Sequence, residues 1–183
     1  MADRSNALNL WHDIRKDRIK PLDFLSVIEI PRGTKNKYEL DKETGVLILD
    51  RVLYTSTHYP ANYGFIPRTL AEDGDPLDVL VICSEAIASM SLVRCYPVGA
   101  IRMIDDNEND DKIIAIPKGD PTYNHIEDII GLSPHLLSEF MHFFRVYKEL
   151  ENRDTADIAV LGLEQALDII KASIDEYNRR FFI

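Results

Sequence analysis

The feature that most constrains this chain is Asp73-Gly74-Asp75-Pro76-Leu77-Asp78, which runs straight into Val79-Leu80-Val81-Ile82. Three carboxylates within six residues leave a Gly/Pro turn and enter an apolar run that reads as a buried strand. A strand mouth holds side chains rigidly, and the turn lets several converge on one point. Acids that close repel one another unless protons or cations intervene. Hard divalent cations such as Mg²⁺ answer that repulsion, because they take carboxylate oxygen and water as ligands. The stretch therefore reads as the acidic floor of a metal site, with an exposed β-turn of common turn-formers as the alternative. It is not an EF-hand loop: counting from Asp73, the fifth and twelfth places, which need ligands, are Leu77 and Ser84.

A length of 183 residues implies a single domain, 1–183. The formal net charge of −10 makes nucleic acid and anionic membranes poor electrostatic partners. An anionic substrate would then need a local cluster of cations or bound metal. Cys83 and Cys95 lie in apolar runs with no C-x-x-C or Cys/His spacing, as expected of reduced thiols in a cytoplasmic protein. No run is long and apolar enough to span a membrane, and no basic start leads into a signal core.

Residues 1–22 read as a loosely attached arm or short helix with Trp11 as its main apolar feature. Phe24–Ile30 reads as a strand. The runs 37–41 and 46–51 flank a Gly-containing turn and read as a hairpin. Tyr59–Arg68 carries Pro60, Gly64 and Pro67 and reads as an irregular loop. Strands are expected at 92–95 and 98–104, interrupted by Pro97, with 105–111 as an acidic hairpin tip and 112–116 as the return. The period then changes. Ser133-Pro134 is a helix start with a capping side chain and proline at the first position. Leu136, Leu137, Phe140, Phe144 and Tyr147 form one apolar face. A second helix from about Leu163 to Arg180 carries Leu163, Ala166, Leu167, Ile170 and Ile174. Strands first and helices later indicate an α+β domain, a curled antiparallel sheet with helices against it.

Other polar groups gain meaning beside the acids. Asp105 and Asp110 could bring further carboxylates to the same sheet rim. Lys37 and Glu39, two apart, share one face of their strand, which is either the wet side of a sheet or a site wall. Glu29 and Arg51 border apolar strands in the same way. Lysine and arginine beside an acid ring would hold phosphate oxygens, arginine bidentately and lysine as a point charge. Tyr59 and Tyr63 precede the acids, and Tyr147-Lys148 end the first helix; all four are packing residues unless the acid cluster is a site. No metal-type histidine spacing, G-x-S-x-G elbow or phosphate-binding P-loop is present.

Taken together, these residues resemble the family I soluble inorganic pyrophosphatases. Asp73-Gly74-Asp75-Pro76-Leu77-Asp78-Val79 matches that family's D-x-D-P-x-D-V element. Val27-Ile28-Glu29-Ile30-Pro31, Lys37-Tyr38-Glu39, Asp50-Arg51, Tyr59-Pro60-x-Asn62-Tyr63-Gly64, the Asp105/Asp110/Lys112 spacing and His142-Phe143-Phe144-x-x-Tyr147-Lys148 follow the same order over roughly residues 23–150. The resemblance implies an OB-like five-stranded antiparallel β-barrel flanked by two main C-terminal helices, and Mg²⁺-dependent hydrolysis of pyrophosphate to two phosphates. It implies metal ligation by Asp73, Asp78, Asp105 and Asp110, with Asp78 bridging two ions and several Mg²⁺ per site. Asp75 would take the proton from the attacking water. Lys37, Arg51, Tyr63, Lys112, Tyr147 and Lys148 would bind phosphate. Glu29, Glu39 and Tyr59 would form the outer shell. A homohexamer is the expectation by analogy with bacterial members, from which the longer N-terminal arm is a departure. The competing readings are a non-catalytic OB-like module for oligonucleotide or protein, which wants a basic groove with exposed aromatics, and a phosphohydrolase of organic esters.

Overall fold

The computed structural model describes residues 8–105, 108–151 and 156–181, except the side chains of residues 105, 108, 156 and 157. In chain order the strands are β1 (Ile19–Lys20), β2 (Asp23–Ile30), β3 (Asn36–Leu40), β4 (Leu47–Val52), β5 (Asn62–Phe65), β6 (Asp78–Val81), β7 (Leu92–Asp105), β8 (Glu108–Pro117) and β9 (Ala156–Leu161). Helix α1 spans Pro134–Val146 and α2 spans Leu163–Phe181. The β3–β4 hairpin forms its own two-stranded sheet.

The large sheet has the order β1-β2-β5-β6-β8-β7-β9, and a further β2–β7 pairing links its members into a ring. Five strands make that ring: β2, β5, β6, β8 and β7. The OB-like barrel with two flanking helices is thus the observed architecture, with one difference. β6 and β8 are parallel, with Asp78 beside Lys112 and Leu80 beside Ile114. A parallel neighbour needs a long crossover, and β7 with its connections provides it.

Strand alternation then divides the core. Val79, Val81, Ile113 and Ala115 join a cluster with Ala166, Ile170 and Tyr177 of α2. Leu80, Ile82, Ile114 and Ile116 join a second cluster with Phe140, Phe143 and Phe144 of α1. Both faces of these strands are therefore covered, which is why their sequence reads as continuous apolar runs.

Several expectations need correction. The arm is not loosely attached: Leu10, Trp11, Ile14 and Ile19 are buried in the α2-side cluster. Tyr59–Arg68 is not wholly a loop, because β5 lies within it. Gly64 is what permits that strand, since a Cβ there would fall 1.8 Å from the Val27 carbonyl oxygen of β2. Pro97 does not split a strand in two. β7 is continuous, with a register shift between Pro97 and Gly99. It pairs with β2 before that point and with β9 after it, so the bulge bends one strand between two partners. Strand β9 was not anticipated at all. Ser133 precedes α1 and Pro134 is its first residue, but the serine side chain makes no capping bond. On α1 the buried residues are Phe140, Phe143 and Phe144, with Leu136 and Leu137 half-buried; on α2 Ser173 and Tyr177 join the expected stripe. Cys83 and Cys95 are free, the first half-buried and the second buried. Among the described residues no helix is long and apolar enough to cross a membrane.

Candidate active site

The α1-side face of the sheet turns polar at one end. Asp78 opens β6 on the side of Leu80, and Asp110 and Lys112 continue β8 on the side of Ile114. Tyr63, directly opposite Leu80, shares that face. Alternation explains a selection within the acidic run. Asp110 points to the cleft, where it accepts from the Lys112 ammonium at 2.7 Å, whereas Asp111 faces away and accepts from Nε and Nη2 of Arg102 at 2.7 Å each.

Lys112 is the hub. Its side chain is 3% exposed, and its Nζ donates to Asp78 at 2.7 Å, to Asp110 at 2.7 Å and to the Tyr63 hydroxyl at 3.0 Å. Burial alone would lower its pKa, but the charges of Asp78 and Asp110 outweigh that and raise it well above the ordinary value. The Tyr63 hydroxyl also donates to Asp78, and burial followed by the Asp78 charge holds that phenol protonated. Burial raises Asp78, opposed by Lys112 and reinforced by Asp110. Asp73 is raised by burial and then by Asp78, Asp75 and Asp110. Two separated stretches, the 73–78 turn and β8, thus bring together acids that repel one another.

A cleft of about 410 Å³ opens here, within the range of small-ligand sites. Its acids are Glu29, Glu39, Asp50, Asp73, Asp75, Asp78 and Asp110, and its cations are Lys37, Lys42, Arg51, Lys112 and Lys148. Carboxylates outnumber ammonium and guanidinium groups, so the bare cleft repels an anion until further positive charge enters. Gly74, at φ +85°, makes the turn that aligns the acids, and Asp73 accepts from the Asp75 amide at 2.9 Å.

Of the residues singled out in the sequence, Glu29, Lys37, Glu39, Arg51, Tyr63, Asp73, Asp75, Asp78, Asp110, Lys112, Tyr147 and Lys148 all line this one cleft. Lys37 pairs with Glu39 and, at 3.1 Å, with Asp50. Tyr147 caps the end of α1 and is buried, and the Lys148 ammonium lies 5.3 Å from its ring centre. Tyr59 does not line the cleft. It is buried behind Tyr63, with ring centres 5.4 Å apart, and rests on Phe143 at 4.9 Å. The Asp105 side chain lies outside the described residues.

The chain's match to the family model for inorganic pyrophosphatase covers residues 26–178. The chain belongs to the inorganic pyrophosphatase family. It is 49% identical to a soluble inorganic pyrophosphatase of Oryza sativa over 97% of this chain and 83% of the relative. Against soluble inorganic pyrophosphatase 2 of Chlamydomonas reinhardtii the identity is 46%, over 97% and 93%. The crystal structure of the Thermus thermophilus inorganic pyrophosphatase superposes with a TM-score of 0.88 at 37% identity, covering 93% of this chain and 99% of that one.

Residues of this pyrophosphatase cleft that sequence reasoning missed are Trp11, Lys42 and Asp50, with Glu151 behind Arg51. Asp50 stood in the matched Asp50-Arg51 pair without a role. Glu151 accepts from the Arg51 Nε at 2.9 Å across 100 residues of sequence. Lys42 pairs with Asp75. No local spacing announces a partner so far away.

Among the described residues no three acids or histidines are already gathered tightly enough to cage a metal ion. The chemistry of the donors still fits a hard cation: all are carboxylate oxygens and mutually repelling, with the Lys112 ammonium as a monovalent counter-charge between two of them.

Glu29 carries a separate consequence. Its Oε1 accepts from the Leu40 amide at 2.7 Å, and burial pushes its carboxyl up to about 8 from an ordinary 4.5. The fold therefore disfavours the ionised form. That penalty is absent below the unfolded value, grows as pH rises from 4.5, and levels off above 8. In chelator, Glu29→Gln should match the wild type near pH 4.5 and exceed its unfolding free energy by about 5 kcal/mol at pH 9. Urea midpoints across that range measure it; equal midpoints at both ends would contradict the reading.

Proposed function

We propose that this chain hydrolyses inorganic pyrophosphate to two phosphates with Mg²⁺ as its cofactor. Pyrophosphate hydrolysis is the activity of the family to which it belongs. The observation that supports the finer reading best is the cleft itself, where acids from the 73–78 turn and β8 meet cations from β3, β4, β8 and the end of α1. Asp73, Asp78 and Asp110, with Asp105, would hold the metal. When bound, Mg²⁺ lowers the pKa of a water and neutralises charge on the phosphates.

The chain's own groups do the rest. Asp75 takes the proton from the attacking water, which needs a carboxylate within hydrogen-bond reach and free of other donors. Lys37, Arg51, Lys112 and Lys148 hold phosphate oxygens and stabilise the charge that gathers on the leaving phosphate. Tyr63 and Tyr147, whose phenols burial keeps protonated, donate hydrogen bonds to the same oxygens. Glu29 and Glu39 flank further cations, and Tyr59 props Tyr63 from behind.

An oligonucleotide groove would present cations free of acids. Lys37, Lys42, Arg51 and Lys112 are each paired to a carboxylate instead. The deciding test is colorimetric phosphate release. Rapid turnover of pyrophosphate with Mg²⁺, its loss in chelator, and little release from a nucleoside monophosphate are expected. Metal-independent release, or equal use of the monophosphate, would contradict the assignment.

A further inference from the structure

We propose that Lys42 is a positioning residue: it stands in for a cation at Asp75 in the substrate-free cleft and is displaced when a divalent cation enters among the acids. The inference rests on the Mg²⁺-dependent reading above.

Lys42 sits in the turn between β3 and β4, and its ammonium reaches Asp75 across 33 residues of sequence. The same ammonium lies 5.4 Å from the centre of the Trp11 ring. Each member of this trio is fixed from a different direction. The Asn9 side chain donates to the Lys42 carbonyl at 3.0 Å, tying the hairpin turn to the N-terminal arm. The Trp11 indole N–H donates to the Thr69 carbonyl at 2.8 Å, and the Arg68 amide donates to the Trp11 carbonyl at 3.0 Å. The arm thus joins the β3–β4 turn to the loop that leads into the acids, and Lys42 spans the gap between them.

The ammonium held at an Asp75 oxygen occupies the space where the attacking water would hydrogen-bond, so Lys42 opposes the role given to Asp75. A divalent cation entering among the acids both competes for Asp75 and repels the lysine. Lys42 can yield at small cost, since its side chain is 46% exposed and that of Asp75 is 55% exposed. Exposed pairs are weak, so the displacement should change cation affinity by only about threefold to fivefold.

Trp11 is the chain's one tryptophan, so its emission reads the lysine directly. The test is a Mg²⁺ titration of the substrate-free protein, followed by calorimetry and by tryptophan emission. Lys42→Met should bind Mg²⁺ about threefold to fivefold more tightly than the wild type, and the emission change seen in the wild type should be lost. In an Asp75→Asn background the gain should vanish, because the lysine then has no carboxylate to hold. A gain that persists there marks a long-range charge effect and overturns the proposal. So does a Lys42→Met protein with wild-type affinity and emission response while Asp78→Asn binds Mg²⁺ weakly. An Asp78→Asn protein that binds Mg²⁺ as the wild type does overturns the metal-site reading, and the Lys42 proposal with it.

Discussion

Replacing Asp75 by asparagine is expected to lower kcat by about 10²–10⁴-fold, the usual contribution of a positioned general base, while the fold and the binding of metal persist. The reasons lie in its placement. The Asp75 side chain is 55% exposed, and its ion pair with Lys42 is of the solvent-screened kind. Losing its charge costs little stability. The amide keeps the shape of the carboxylate but cannot take a proton from water. The remaining acids, Asp73, Asp78 and Asp110, are untouched, so cation affinity should fall far less than turnover. Steady-state kinetics at saturating Mg²⁺ and a calorimetric Mg²⁺ titration separate the two. Unimpaired kcat in the Asp75→Asn protein would remove Asp75 from the role of proton acceptor.

The second large effect concerns stability. Lys112→Met should destabilise the metal-free protein by about 3–5 kcal/mol, because it removes one partner from a buried ionic cluster and leaves the others uncompensated. Lys112 donates to Asp78 and Asp110 at 2.7 Å each, with its side chain 3% exposed. Methionine fills the aliphatic volume but supplies no charge, so Asp78 and Asp110 must repel one another or protonate. Two dependences follow. The loss should shrink on acidification, as Asp78, which burial already raises above the ordinary carboxylate range, takes up a proton. Saturating Mg²⁺ should restore part of it, since a ligand that binds the folded state at about 100 times its Kd adds about 2.7 kcal/mol. Denaturant titrations in chelator and in Mg²⁺ test this. A chelated Lys112→Met protein with the wild-type midpoint would show that the ammonium is no counter-charge to the acids. Phosphate binding should suffer as well, so kcat/KM falls even where the fold is rescued.

Much of this was legible in the chain because the chemistry is locally dense. Asp73, Asp75 and Asp78 share one turn, and their entry into Val79-Leu80-Val81-Ile82 already marked a rigid strand mouth. Lys37 and Glu39 could be put on one face by counting in twos. What escaped was set by tertiary pairing. Nothing near Asp78 says that its neighbour is Lys112; the parallel β6–β8 register decides it. Tyr63 looked like a loop residue because Pro60, Gly64 and Pro67 are turn-formers, yet Gly64 is there so that two strands can approach closely. The N-terminal arm read as polar and detachable, but Leu10, Trp11 and Ile14 have an apolar groove waiting beside α2. Pro97 read as a strand end because proline cannot donate, whereas a bulge accommodates it in mid-strand. Lys42 and Glu151 escaped for a shared reason: an ion pair between distant residues leaves no period in the sequence.

The most direct measurement is a calorimetric Mg²⁺ titration of the substrate-free wild type beside Asp73→Asn, Asp78→Asn and Asp110→Asn, each checked for a native circular-dichroism spectrum. If these acids form one oxygen cage for divalent ions, the wild type binds Mg²⁺ and each amide variant binds it at least about tenfold more weakly, a change of about 1.4 kcal/mol. Folded variants that all retain wild-type affinity would contradict it.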